Sequence, residues 1–348
     1  MAITVRSFAK INLGLRIGAL RADGFHELRT VYQTIGLQDI VRVRVERGVG
    51  IEVRCEDPRV PRDESNTCHR VVERALEALK SRGRVIIEIE KRLPVQGGLG
   101  GASGNAVAAL LGLEHALKKS LSGPERLRIA AEVGSDLPLF LMGGTVLGLG
   151  HGEEVYPLPD LPSAPCVVAL PKVAVSTPKA FADWDARTGG IGAPIPTETG
   201  GQECPSHAGG SELTVSGLPD RMKEFGREVA IGLSTQQKGK AGKGLSGVSA
   251  KSRGRAETPL LDLVRTGIEN DFEQVVFPQY PELREVKHVL ERAGAAYASL
   301  SGSGSAVYGL FASRAGAERA ATRLRKTGVE ARLTTTLTRR QYWKAIFD

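Results

Sequence analysis

A glycine run stands where a strand pattern gives way to a helical one: Pro94-Val95-Gln96-Gly97-Gly98-Leu99-Gly100-Gly101-Ala102-Ser103-Gly104-Asn105. Glycines let backbone N–H groups approach an anion, and the first turn of a helix adds unpaired donors and the positive end of its dipole. The segment reads as a phosphate site. It is not a Walker loop, since no Gly-Lys-Ser/Thr follows, and Gly98-x-Gly100-x-x-Ser103 lacks the third glycine of a dinucleotide fingerprint. Standing alone, it also fits a turn that merely lets strand and helix pack.

Four further segments carry chemistry. Gly134-Ser135-Asp136-Leu137-Pro138-Leu139-Phe140 sets a carboxylate among leucines just past a helix end. Desolvation there is costly without partners, and capping is the plain alternative. Ala9-Lys10-Ile11-Asn12-Leu13-Gly14-Leu15 places a lysine and an asparagine on one face of an otherwise apolar strand. A lysine and an aspartate meeting over a phosphate site make a phosphoryl-transfer arrangement, in which the carboxylate orients and deprotonates a hydroxyl and the cation stabilises charge. Arg21-Ala22-Asp23-Gly24-Phe25-His26-Glu27-Leu28 offers a turn, a stacking ring and a donor/acceptor edge, as a nucleobase pocket requires, although a packed aromatic explains it equally. Leu300-Ser301-Gly302-Ser303-Gly304-Ser305-Ala306 is a second glycine-rich turn, and alone it reads as a loop.

The elements that must position these residues follow from periodicity. Apolar residues alternate in Ile3–Arg6, Val41–Val45, Ile51–Val53 and Val85–Glu90, the pattern of strands. A helix is predicted from Thr67 to Lys80 with Asn66 as its cap, a long one from the glycine run to about Lys118, and a third from Pro124 to Val133 ending at Gly134. Strands follow at Gly144–Leu149 and Cys166–Leu170. From about Thr188 to Thr258 the chain dissolves into Gly, Ser, Thr, Pro and Lys, with one weak helical island near Leu218–Ile231, and reads as an insertion. Helices near Leu260–Thr266 and Glu282–Ala293, strands Tyr297–Leu300 and Ala306–Phe311, a helix Ala315–Lys326 and a strand Val329–Thr335 close the chain. That order suits a small antiparallel sheet with helices on one face.

The length of 348 residues points to two domains, and 41% hydrophobic with 25% charged residues is the composition of a soluble, core-forming chain. With aromatics at 5%, the core is mostly aliphatic. The net charge is +8, but Lys238, Lys240, Lys243, Lys251, Arg253 and Arg255 crowd into the insertion. The folded parts are then near neutral, which argues against a nucleic-acid groove and for a small-molecule partner. Four cysteines without C-x-x-C spacing read as free thiols in a reducing cytoplasm. The N-terminus has no apolar signal core, and the apolar stretch Leu137–Gly150 is too short to span a bilayer, so a soluble cytoplasmic protein with no membrane partner is expected.

Together and in this order, the five segments resemble the GHMP kinase superfamily, from Ala9 to about Phe181 and from Asn270-Asp271 to about Phe311. Arg21-x-Asp23-Gly24-Phe25-His26 beside Ala9-Lys10-Ile11-Asn12-Leu13 is similar to the branch that acts on a cytidylated methylerythritol. The resemblance implies an α+β fold with an N-terminal domain over residues 1–165 and a C-terminal domain over 166–348, interrupted by the insertion at about 188–258. It implies ATP-dependent phosphorylation of the polyol 2-hydroxyl in the non-mevalonate route to isoprenoid precursors, with Mg²⁺ accompanying the nucleotide. Asp136 would be the general base and Lys10 its cationic partner, with Asn12 beside the polyol hydroxyls. Pro94, Gly97, Gly98, Leu99, Gly100, Gly101, Ala102, Ser103 and Gly104 would wrap the ATP phosphates, and Asn66 would lie on the adenine side. His26 would read the cytosine edge, and Phe25 and Phe181 would sandwich the ring.

Two departures stand out. The related loops commonly read Gly-Leu-Gly-Gly-Gly-Ser-Ser, where this chain has Ala102 and Gly104, so Ser103 is the hydroxyl left for a metal contact unless ATP and water hold the ion. Phe25 stands where tyrosine is frequent. Two other readings stay open: another GHMP kinase acting on homoserine, mevalonate or a sugar, and a non-catalytic nucleotide or RNA binder. The first has no use for Phe25-His26, and the second none for Asp136 or Lys10-Ile11-Asn12.

Overall fold

The apolar N-terminal segments build one long hairpin, and both halves of the molecule pack on it. In the computed structural model, which describes residues 2–188 and 268–347, β1 (Ile3–Leu20) pairs antiparallel with β2 (His26–Glu46), from Ile3 opposite Val43 to Leu20 opposite His26. The sequence pattern reveals only pieces of this hairpin. Register shifts at Phe8/Ala9, Asn12/Gly14 and Ile17/Leu20 break the alternation, and every residue from Ser7 to Gly18 is buried because each face of β1 has a core against it.

β3 (Gly50–Cys55), β4 (Arg84–Glu90), β5 (Thr145–Leu149) and β6 (Glu154–Pro157) complete the first sheet in the order β3-β4-β2-β5-β6, with β1 joined to β2 off that path. The parallel pair β3–β4 is bridged by α1 (Thr67–Ala78), whose cap is Asn66 as expected: its Oδ1 accepts from Cys68 N at 2.8 Å. α2 (Gly101–Leu117) is buried at every residue from Gly104 to Glu114, which its near-continuous small and aliphatic sequence permits. α3 (Gly123–Val133) starts at the Ser122 cap with Pro124 in its first turn, and α4 (Leu137–Met142) follows at once.

β7 (Pro165–Leu170), β8 (Tyr297–Leu300), β9 (Val307–Leu310) and β10 (Glu330–Thr335) form the second sheet, antiparallel throughout in the order β10-β7-β9-β8. α5 (Thr177–Thr188), α6 (Glu273–Gln279), α7 (Pro281–Arg292) and α8 (Arg314–Lys326) share one core with it, around Trp184, Phe272, Leu283, Leu290 and Leu324. A separate core joins Val168, Tyr308 and Leu310 of this sheet to Ile11, Leu13, Val31 and Ile35 of the long hairpin. The fold is α+β, with an antiparallel sheet and helices in the second half. α9 (Arg339–Ala345) then returns to the first layer, where Tyr342 OH donates to Phe140 O at 2.7 Å.

Among the described residues no helix is long and apolar enough to cross a membrane. Cys55, Cys68 and Cys166 are buried free thiols. The helices expected near Leu218–Ile231 and Leu260–Thr266, and the insertion beyond Thr188, lie outside the described residues.

Candidate active site

β1 delivers Lys10 and Asn12 to the same spot. Lys10 is 4% exposed, and its Nζ donates to Asn12 Oδ1 at 2.7 Å. Asn12 Nδ2 donates to Thr30 Oγ1 at 2.8 Å, which fixes the amide with its oxygen toward the lysine. Asp136 stands immediately before α4, and its Oδ2 lies 3.5 Å from Lys10 Nζ. The lysine and aspartate anticipated from sequence therefore do meet. The carboxylate is about one-third exposed, so it borders solvent while its cation does not.

Sequence reasoning missed the third member of this group. Tyr32 stands directly across the hairpin from Asn12, and its OH donates to Asp136 Oδ1 at 3.0 Å. Burial, then the neighbouring Asp136 and Glu153 carboxylates, push the Tyr32 phenol well above its ordinary 10, so it stays a donor at neutral pH. Lys10 Nζ also sits 5.5 Å from the centre of the Tyr32 ring. Only the hairpin register could have pointed to Tyr32, and the shift at Asn12/Gly14 conceals it.

The glycine run wraps the start of α2. Gln96, Gly98 and Gly100 all have positive φ, and Gly100 is the N-cap. Lys10 N donates to Leu99 O at 3.0 Å, and a Cβ at Gly100 would stand 3.0 Å from Lys10 Cγ and 2.9 Å from the Phe140 ring. The donor-rich helix start is thereby held beside the lysine. On its other side lies the second glycine turn: Ser301 Oγ donates to Gly98 O at 2.9 Å, and Asn270 Nδ2 donates to Leu300 O at 2.9 Å and Gly302 O at 2.8 Å. This turn is a wall of the site. Buried Asp39, also missed in the sequence, accepts from Lys91 Nζ, from Arg92 N at 2.6 Å and from Leu93 N at 2.7 Å, which fixes the chain entering Pro94.

A cavity of about 370 Å³ runs from Asn66 and Cys68 past Lys91 and Pro94 to Gly97–Ser103. Asn66 Oδ1 caps α1 and its Nδ2 donates to Pro61 O, so the side chain borders the cavity as a fixed corner. Asn105 also lines the cavity, and its Oδ1 is buried without a hydrogen-bond partner. Burial pushes the Cys68 thiol up to about 12, which keeps it protonated.

The structure explains why residue 104 is not serine. A Cβ at Gly104 would stand 2.8 Å from Ser7 Oγ and 3.0 Å from the Phe8 carbonyl. The serine hydroxyl can rotate away, but the strand backbone cannot. Gly104→Ser is expected to lower stability by about 1–2 kcal/mol through overpacking, read as a fall in thermal midpoint. An unchanged midpoint would show that β1 gives way without cost.

His26 begins β2 and is buried. Its Nδ1 lies 3.1 Å from Gly18 O, its Nε2 lies 3.1 Å from Asp185 Oδ1 on α5, and its ring stacks on Phe181 at 5.2 Å and 4°. Phe181 in turn meets the Phe272 ring edge-on at 5.0 Å. Phe25 is at the hairpin tip, 61% exposed, with its ring 4.8 Å from that of His151. The structure joins His26 to Phe181, while the ring partner of Phe25 is His151. Asp185 was missed because the pattern of α5 runs straight into the low-complexity stretch.

Residues 66–144 match the GHMP kinases N terminal domain, and residues 257–330 match the GHMP kinases C terminal. The chain is 35% identical over 324 residues to a 4-diphosphocytidyl-2-C-methyl-D-erythritol kinase of Acaryochloris marina, spanning 93% of this chain and 91% of that one. It is 34% identical over 310 residues to the protein of the same name from Solibacter usitatus, spanning 89% and 81%. Among solved structures, a 4-(cytidine 5'-diphospho)-2C-methyl-D-erythritol kinase superposes with a TM-score of 0.67 at 27% identity, covering 96% of this chain and 98% of that one. A homoserine kinase from Cytophaga hutchinsonii shares the fold with a TM-score of 0.66 at 20% identity, covering 97% and 95%.

Proposed function

The chain belongs to the 4-diphosphocytidyl-2-C-methyl-D-erythritol kinases, a family of GHMP kinases, and from that premise we propose how its residues carry out the transfer. The enzyme moves the γ-phosphoryl group of ATP to the 2-hydroxyl of 4-diphosphocytidyl-2-C-methyl-D-erythritol, giving ADP and the 2-phosphate, within the non-mevalonate route to isoprenoid precursors. The observation that carries the assignment of roles is the Lys10–Asp136 pair at 3.5 Å beside the N-terminus of α2.

Phosphoryl transfer needs alignment and charge neutralisation more than covalent chemistry. The loop from Gly97 to Gly104 with the start of α2 receives the phosphates, and Lys10 faces the charge that develops between donor and acceptor. Asp136 accepts the proton of the 2-hydroxyl. Tyr32 and Lys10 hold one carboxylate oxygen each, which leaves the exposed side of Asp136 for the acceptor. Asn12, locked by Thr30, borders the polyol hydroxyls.

Hard oxygen donors suit Mg²⁺, and the unpartnered Asn105 Oδ1 and the Ser103 hydroxyl, both from residues lining the cavity, are the donors that would be offered to the ion. Bound with ATP, it would neutralise phosphate charge. His26 and Phe181 receive the cytosine, with Phe25 as the outer ring. An acceptor without a base would forgo the ring contacts that Phe25 and Phe181 offer. Both substrates are small molecules, and the buried free thiols accord with a cytoplasmic enzyme. A homoserine, mevalonate or sugar acceptor would leave His26 and Phe25 idle, and nucleic-acid binding would leave Lys10 and Asp136 idle.

The test is ADP release from ATP and Mg²⁺ with the cytidylated acceptor, run beside mevalonate, homoserine and no acceptor. Turnover is expected on the cytidylated acceptor alone. Comparable turnover on mevalonate or homoserine would overturn the acceptor assignment.

A further inference from the structure

His151 lies in the turn between β5 and β6, and no step of the transfer uses it. We propose that Asp23 and His151 form a latch that holds Phe25 as the outer wall of the cytidine site, which makes His151 a specificity-determining residue; the proposal rests on the cytidine-site reading given above.

A ring 61% exposed on a hairpin tip would sample several rotamers unless something held it. Here one carboxylate closes a loop around it. Asp23 Oδ1 accepts from Phe25 N at 3.1 Å, and Asp23 Oδ2 lies 3.1 Å from His151 Nε2. The His151 ring completes the loop by lying 4.8 Å from that of Phe25, tilted by 41°. Arg21 Nε donates to Asp23 Oδ2 at 3.1 Å, and Arg21 N donates to Phe25 O at 2.7 Å, so the tip is braced from its own base as well.

The His151 side of the latch is equally fixed. His151 N donates to Glu153 Oε2 at 2.6 Å, His151 Nδ1 lies 3.6 Å from Glu153 Oε1, and Leu28 N donates to Gly150 O at 2.6 Å. The next residue reaches the reaction centre: a Cβ at Gly152 would stand 2.3 Å from Tyr32 OH and 4.0 Å from Asp136 Oδ1. One short turn therefore touches both the base wall and the group that positions the catalytic carboxylate. A substrate with its base at Phe25 and its polyol at Asp136 lies along this turn.

A wall ordered before binding spares the ordering cost on binding. The effect belongs to the acceptor KM, because the hydrogen bonds and ring contact of His151 run to Asp23, Glu153 and Phe25 rather than to the phosphate loop or Lys10. With the full-length enzyme, His151→Ala is expected to raise the acceptor KM by about threefold to tenfold, the range set by freeing one side chain, while kcat and the ATP KM hold. His151→Phe, which keeps a ring against Phe25 but loses the bond to Asp23, is expected to raise the acceptor KM by less than His151→Ala does. In a Phe25→Ala background the His151→Ala change is expected to add nothing, since it acts through that ring.

An unchanged acceptor KM in His151→Ala, or full multiplication of the two effects, would overturn the latch. A fall in kcat with the acceptor KM intact would overturn it too, by moving His151 to the chemistry. Phe25→Ala with an unaltered acceptor KM would instead remove the base wall itself, and the latch with it, so the two failures are told apart.

Discussion

Asp136→Asn is expected to lower kcat by at least about 100-fold, the lower bound for a positioned acid–base group, with little change in the ATP KM. The asparagine keeps the shape of the side chain, and its oxygen can still accept from Tyr32 OH. What disappears is the negative charge that faces Lys10 at 3.5 Å and that we propose takes the proton. Lys10, 4% exposed, keeps the neutral Asn12 Oδ1 at 2.7 Å but loses its charged partner, and the acceptor hydroxyl loses its proposed base. Because Asp136 is about one-third exposed and makes no capping bond to α4, the substitution leaves the fold intact. Single-turnover measurements at saturating ATP and acceptor isolate the chemical step. A rate within tenfold of the native enzyme would remove Asp136 from the proton transfer and leave it only an orienting role.

The residues of this centre were unequally legible. Asp136 stood out because a carboxylate among leucines needs a reason, and Lys10 and Asn12 because period-two spacing puts them on one face of a strand. Tyr32 did not stand out, since its place opposite Asn12 depends on a register that three irregularities in one hairpin obscure. The helix α9 shows a different kind of miss. Thr338 and Gln341 form a capping box that was present in the sequence, but Arg339, Arg340 and Gln341 mask the apolar face, and buried Tyr342 and the Trp343 indole, which donate to Phe140 O and Met142 O, fasten the helix to α4. His26 and Phe25 were legible as edge and ring. Their partners Asp185 and His151 were not, because they come from elements distant in sequence whose approach only the packing creates.

The glycine loop was legible for its chemistry and not for its mechanics, and Gly98→Ala separates the two. An anion site explains glycine in general terms, yet the neighbour that demands it at residue 98 is protein. Gly98 has φ of 73°, and a Cβ there would stand 2.1 Å from the Ser301 carbonyl oxygen and 3.1 Å from that of Gly304. Left-handed backbone costs an alanine about 1–2 kcal/mol, and overpacking against a backbone that cannot rotate away adds about 1–3 kcal/mol. The strain is relieved by moving the loop off the Ser301–Ser305 turn, which breaks the Ser301 Oγ to Gly98 O bond and shifts the start of α2 relative to Lys10. A misplacement of about 1 Å at a reacting centre is worth about 100-fold, so kcat/KM for ATP is expected to fall by about that factor together with the thermal midpoint. A lowered midpoint with native kcat/KM for ATP would show that the second glycine turn yields instead, and that the loop holds its phosphate geometry without that turn.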